Sequence, residues 1–148
     1  YSDNEITLAD IHDINGTLSR DELDLFVEFL LKKDVVEFIK RIELYDNEGK
    51  NLVKIVQEVV DRLKDCILYL NVPSLLVEQD FFYEKIASEI DENLIYLYIK
   101  AFSTLINEMK TSNNNKILFE IEFLKNINIQ FENVNVIQNE KKEQKKCI

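Results

Sequence analysis

Gly49 to Leu70, GKNLVKIVQEVVDRLKDCILYL, decides the class of fold. Leu52, Ile55, Val56, Val59, Leu63, Cys66, Ile67 and Leu70 recur at three- and four-residue spacing over about five turns. That is one apolar stripe on a long amphipathic helix, with charged residues on the other face. Pro73 stops the pattern, because it lacks an amide donor and pushes its neighbour out of helical geometry.

The same punctuation cuts the rest of the chain. Upstream, Ser19-Arg20-Asp21-Glu22 has the form of a capping box, in which serine and glutamate satisfy each other's amides. Leu23, Phe26, Val27, Leu30 and Leu31 then make a stripe. Asp34-Val35-Val36-Glu37 opens a further helix through Phe38, Ile39 and Ile42, and Asp46-Asn47-Glu48-Gly49 closes it. A short helix from about Thr7 to Asn15, with Gly16 as its stop, precedes these. Downstream, a fifth segment from about Val77 to Ile90 carries Phe81, Phe82, Ile86 and Ile90. Asp91 caps a sixth, in which Leu94, Leu97, Tyr98, Ala101, Leu105, Ile106 and Met109 face inward. After the loop Thr111–Asn115, a seventh from Lys116 to about Asn126 is apolar on two sides. Ile117, Leu118, Ile121 and Leu124 lie on one and Phe119 and Phe123 on the other. Such a helix is central in its bundle or covered by a partner. From Ile127 the pattern changes to a period of two (Ile127, Ile129, Phe131, Val134, Val136), which suits a short extended tail, and Glu140 to Lys146 is charged.

The expectation is therefore an all-α compact bundle of about six to seven helices over residues 5–127, with a charged tail or linker over 128–148. Composition agrees. The 148 residues are 46% hydrophobic and 31% charged, with two glycines and one proline, too few turn residues for a sandwich or a doubly wound sheet. A single domain of this length buries roughly 70% of its unfolded surface. The abundance of Ile, Asn and Lys is the bias of an AT-rich, low-GC bacterial coding sequence. Opening on Tyr1 rather than Met, the chain reads as a piece of a longer protein.

Composition also narrows function. A net charge of −10 repels phosphate backbones, so broad nucleic-acid binding is disfavoured. No apolar run approaches the ~20 residues of a membrane span. Two cysteines, Cys66 on an apolar stripe and Cys147 in the charged tail, suit a reduced, cytoplasmic protein. No catalytic constellation is present: two glycines build no phosphate loop, and one histidine and two cysteines build no zinc site. His12 has no orienting partner and reads as a surface or capping residue, and Cys66 reads as an inert core thiol. No catalytic, cofactor or metal residue is assigned.

One stretch invites another reading. Ile11 to Glu22, IHDINGTLSRDE, is similar to a twelve-residue EF-hand calcium loop. Asp13, Asn15, Gly16, Thr17, Ser19 and Glu22 fall at its third, fifth, sixth, seventh, ninth and twelfth places. Ile11 stands where the first carboxylate belongs, the helix before it is short, and no second loop follows. A Gly16 turn before a Ser19-capped helix is the simpler account. An EF-hand-like calcium module and a generic helical adaptor are the alternative functions.

The order of signals resembles the collar domain, the third domain of the bacterial DNA polymerase III gamma/tau clamp-loader subunits. Three stretches carry the resemblance: Asp10–Leu25, DIHDINGTLSRDELDL; Gly49–Leu70; and Tyr83–Ile127, ending SNNNKILFEIEFLKNI. The matching positions are Gly16, Ser19, Gly49, the pair Lys64-Asp65, Lys116 and Glu120. The chain departs at Asn115, where the family tends to have proline, and at Lys64, where it has arginine. The resemblance implies a non-catalytic oligomerisation domain in DNA replication, downstream of an ATPase module and a lid. It also implies a ring of packed collars whose partners are other gamma/tau copies, delta and delta-prime, with no direct nucleic-acid or membrane contact. Phe29, Tyr69, Tyr96, Phe119 and Phe123 are the candidate interface residues.

Overall fold

The computed structural model describes residues 17–76, 81–87 and 91–128. Every regular element among them is helical: α1 (Arg20–Leu31), α2 (Val35–Asn47), α3 (Leu52–Asn71), a 3-10 turn (Pro73–Leu75), α4 (Phe81–Ala87), α5 (Glu92–Met109) and α6 (115–128). The expected helix before Gly16, the flanks of the fifth segment and the tail from Ile129 onward lie outside the described residues.

Local chemistry sets the helix boundaries. Ser19 Oγ accepts from the Glu22 amide at 3.3 Å, the serine half of the expected capping box, and Asp34 Oδ1 does the same for Glu37. Asn51 caps α3 through the Lys54 amide, and Asp91 caps α5 through the Asn93 amide. At the end of α2, Gly49 takes φ +74°, while its amide reaches Asp46 O and the Lys50 amide reaches Tyr45 O. That crossed pair of bonds absorbs two carbonyls left over by the last turn. The end of α1 uses the same device with a lysine. Lys33 sits at φ 59°, its amide bonds Leu30 O, and the Asp34 amide bonds Phe29 O.

The spine of the bundle is α3 against α5, the most extensive helix pair, with α1 lying across α2 and α3. The core is a single cluster: Val27 and Leu30 from α1, Ile42 and Tyr45 from α2, Ile55 to Cys66 from α3, and Tyr98, Phe102 and Leu105 from α5. Each such side chain contributes on the order of 1.5–3 kcal/mol of burial. At one end of the core the aromatic rings gather. Phe26 and Phe38 stack at 4.3 Å, and Phe119 meets Phe26, Phe38 and Phe102 edge-on at 6.0, 5.7 and 5.8 Å. Phe123 lies 4.1 Å from Phe38, so rings lead in fixing α6 to α1, α2 and α5, with Leu118 and Ile127 packed beside them.

Several expectations need correction. Phe119 and Phe123, offered as interface residues, are fully buried, and the exposed side of α6 is Ile117, Ile121 and Leu124. The large flat rings fill the aromatic end, while the smaller aliphatic side is left outward. Asn115 and Ile127 are both helical, so α6 is longer than its expected span and the period of two does not begin at Ile127. Leu70, expected on the α3 stripe, is exposed because the core ends near Cys66, and Phe81 is exposed while Phe82 turns in.

Candidate functional site

A buried arginine organises the polar centre of this molecule. Arg62 lies on the inward face of α3, three residues after Val59 and four before Cys66, and only 3% of it is exposed. A charge in that position has to be paired. Its Nε donates to Asp24 Oδ1 of α1 at 2.7 Å, and its Nη1 donates to the Tyr83 hydroxyl of α4 at 2.6 Å. The guanidinium also lies 4.8 Å from the Phe82 ring and 4.7 Å from the Tyr83 ring, within cation–π range of both. Tyr69 of α3 stacks on the outer side of Tyr83 at 5.3 Å. Burial pushes the Tyr83 hydroxyl up to about 12, against the opposing pull of Arg62. A second link runs beside the first. Glu28 of α1 accepts from Lys32 at 2.8 Å and from Lys85 of α4 at 3.2 Å, and the bond from Lys32 leads in holding its carboxyl below the usual range.

This arrangement joins α1, α3 and α4. It holds no nucleophile beside a base. Among the described residues no group of three His, Cys, Asp or Glu is placed to hold a metal ion. Cys66, on the same helix face, is buried, and that burial raises its thiol to about 12, which keeps it a thiol at neutral pH.

The residues singled out in the sequence are scattered. Ser19 is the α1 cap and Gly49 the left-handed closure of α2, so both hold elements in place. Lys64 is exposed and Asp65 half-buried, one turn outward from Arg62. Lys116 lies 3.9 Å from Glu43 of α2, and Glu120 is half-buried on α6. Phe29 is half-buried beneath the Arg41 guanidinium, at 6.0 Å. Tyr96 is exposed, with its hydroxyl 3.4 Å from Glu92. Gly16 and the first half of the calcium-like loop lie outside the described residues. Lys64 and Asp65 share one surface pocket with Arg20, Leu68 and Tyr83, and the other residues named here do not line it. Sequence reasoning passed over Arg62, although the signal was present: positions 59, 62, 63 and 66 share one helix face, so an arginine there interrupts an apolar stripe.

Three comparisons with known proteins complete the picture. No family model matches the chain, and no solved structure matches it. The DNA polymerase III subunit tau of Bacillus subtilis (strain 168) is 22% identical over 130 residues. That match takes in 84% of this chain and 23% of the tau subunit, so the chain spans about a quarter of that relative's length. No helix among the described residues is long and apolar enough to cross a membrane.

Proposed function

We propose that this chain is a non-catalytic assembly domain of a DNA polymerase III clamp-loader subunit of the gamma/tau kind. It packs in a collar with other clamp-loader subunits in the cytoplasm. The observation that carries the reading is the likeness to tau, which runs through nearly the whole of this chain and a limited part of that protein. An all-helical body organised around a structural arginine, with exposed apolar side chains on α3, α4, α5 and α6, is in keeping with it. In this role the domain does no chemistry. It holds neighbouring subunits in register through helix-to-helix contact while ATPase modules elsewhere in the same protein move. An interface of standard size buries roughly 1,600 Å², which two or three helix faces of such a domain supply.

The test is the mass in solution by size exclusion with light scattering, alone and mixed with the delta and delta-prime subunits of the same organism. A stable mixed complex is the expected result. A chain that ignores both subunits at every ratio overturns the reading. A parent gene with no GxxxxGK[ST] motif and no cysteine-rich zinc segment upstream would leave only a helical adaptor.

A further inference from the structure

We propose that the surface cavity between α1, α3, the 3-10 turn and α4 binds a free α-amino acid with a branched aliphatic side chain. The cavity measures about 390 Å³, at the small end of the range for small-molecule sites. Lys64 and Asp65 of α3 both line it, and neither side chain has an ion-pair partner among the described residues. They do not pair with each other. Consecutive positions on a helix point about 100° apart, so a lysine and the aspartate after it do not face one another. One cavity therefore presents a cation and an anion that the described chain leaves unneutralised. A ligand that answers both carries two opposite charges close together on one small molecule.

The rest of the lining suits the same molecule. Arg20, the first residue of α1, adds a second cation to the wall, so positive charge exceeds negative by one. Tyr83 is the buried part of the lining, 1% exposed. Its hydroxyl accepts from Arg62 at 2.6 Å, and because a guanidinium only donates, the hydroxyl keeps its own proton to offer. Three donors and one acceptor match a carboxylate with a single ammonium beside it. Leu68, Leu75 and Leu76 supply an apolar wall. Leu75 is 63% exposed at the end of the 3-10 turn, so an aliphatic side chain laid against it gains burial. With its carboxylate toward Lys64 and Arg20 and its ammonium toward Asp65, such an amino acid uses every group. A residue inside a peptide carries neither backbone charge and a terminal residue carries one, so the cavity selects the free amino acid.

The proposal goes beyond the clamp-loader reading and does not rest on it. A chain that binds the amino acid and ignores delta and delta-prime keeps this and removes that.

Titration of the 148-residue chain with L-leucine, followed by amide chemical shifts, is the test. Saturable shifts are expected around Lys64 to Leu68, Leu75, Leu76 and Tyr83, with a dissociation constant on the order of 1 mM. Leucinamide lacks the carboxylate, N-acetyl-L-leucine lacks the ammonium and glycine lacks the side chain, so each binds about tenfold or more weakly. Lys64→Gln and Asp65→Asn weaken leucine binding by a similar factor. Both leave the melting temperature unchanged, because neither side chain belongs to the core. Leu75→Ser, at an exposed position, brings the affinity for leucine down to that for glycine. The absence of saturable shifts at about 50 mM leucine overturns the proposal, as do shifts centred away from the cavity. An analogue that binds as tightly as leucine overturns it, and so does a Lys64→Gln, Asp65→Asn or Leu75→Ser variant that keeps full affinity. A fall in melting temperature with Lys64→Gln or Asp65→Asn also overturns it, since the chain itself would then be engaging those charges.

Discussion

The two ends of the bundle are held by opposite kinds of force. Where α6 meets α1, α2 and α5, five phenylalanine rings interlock with no polar partner among them. Where α4 meets α3 and α1, one arginine joins a carboxylate, a phenol and two ring faces. The difference lies in which side chains each helix brings to the core. The helix over 115–128 brings Phe119 and Phe123 and is held chiefly by burial, which is proportional to area and indifferent to direction. Along Phe81–Ala87, α4 buries Phe82, Tyr83 and Ile86, and it adds to that burial a directional contact from Tyr83 to Arg62. Ring packing tolerates small shifts, and an arginine hydrogen-bonded to two separate helices does not.

The comparison can be broken first at the ring end. Phe119→Ala removes the ring that meets three others and should cost about 3–5 kcal/mol in urea unfolding. A loss below about 1 kcal/mol would mean that α6 is not part of the cooperative core. At the polar end, Arg62→Ala should cost about 3 kcal/mol, since it takes the guanidinium away from Asp24 and the Tyr83 hydroxyl. Its signature is local: amide exchange in α4 should quicken before that in α2. If Arg62→Met instead matches the parent in stability, the arginine contributes orientation of α4 and not net energy.

Those two positions also show what the sequence could and could not reveal. Ser19, Asp34, Gly49 and Asp91 were legible because a cap or a left-handed closure needs only its own neighbours. The α6 faces were not. Ile117, Ile121 and Leu124 are as apolar as Phe119 and Phe123, and periodicity finds two stripes without saying which one meets the core. The volume of the space between Phe26, Phe38 and Phe102 decides that, and it exists only once three other helices are placed. Arg62 was hidden for a related reason. Lys64-Asp65 drew attention as a charged pair, but the partners of Arg62 lie 38 and 21 residues away. The absence of a catalytic constellation was read from composition, and the match to tau over 84% of this chain supports the coarser part of the resemblance.

Smaller effects sharpen the contrast. Tyr83→Phe removes one acceptor of Arg62 and should cost about 1.5 kcal/mol at neutral pH. It should also change the alkaline limb. A hydroxyl raised from 10.0 to about 12 supports folding fully below pH 10, and that support is lost as pH rises through 12. The variant should lose less stability than the parent across that window, as read by unfolding at each pH. Lys33→Gly serves as a control tied to neither end. Relieving a left-handed lysine should raise stability by about 1 kcal/mol, with the same gain in the Arg62→Met background as in the parent.

Cys66 turns this architecture into its own clock. Its thiol is shut inside the core and held protonated by that enclosure, so an external disulfide reagent reaches it only when the packing around α3 opens. With Cys147 replaced by serine, the rate of labelling counts those openings directly. Followed in the presence of any binding partner, it would report whether assembly tightens the interior of the domain or touches only its skin.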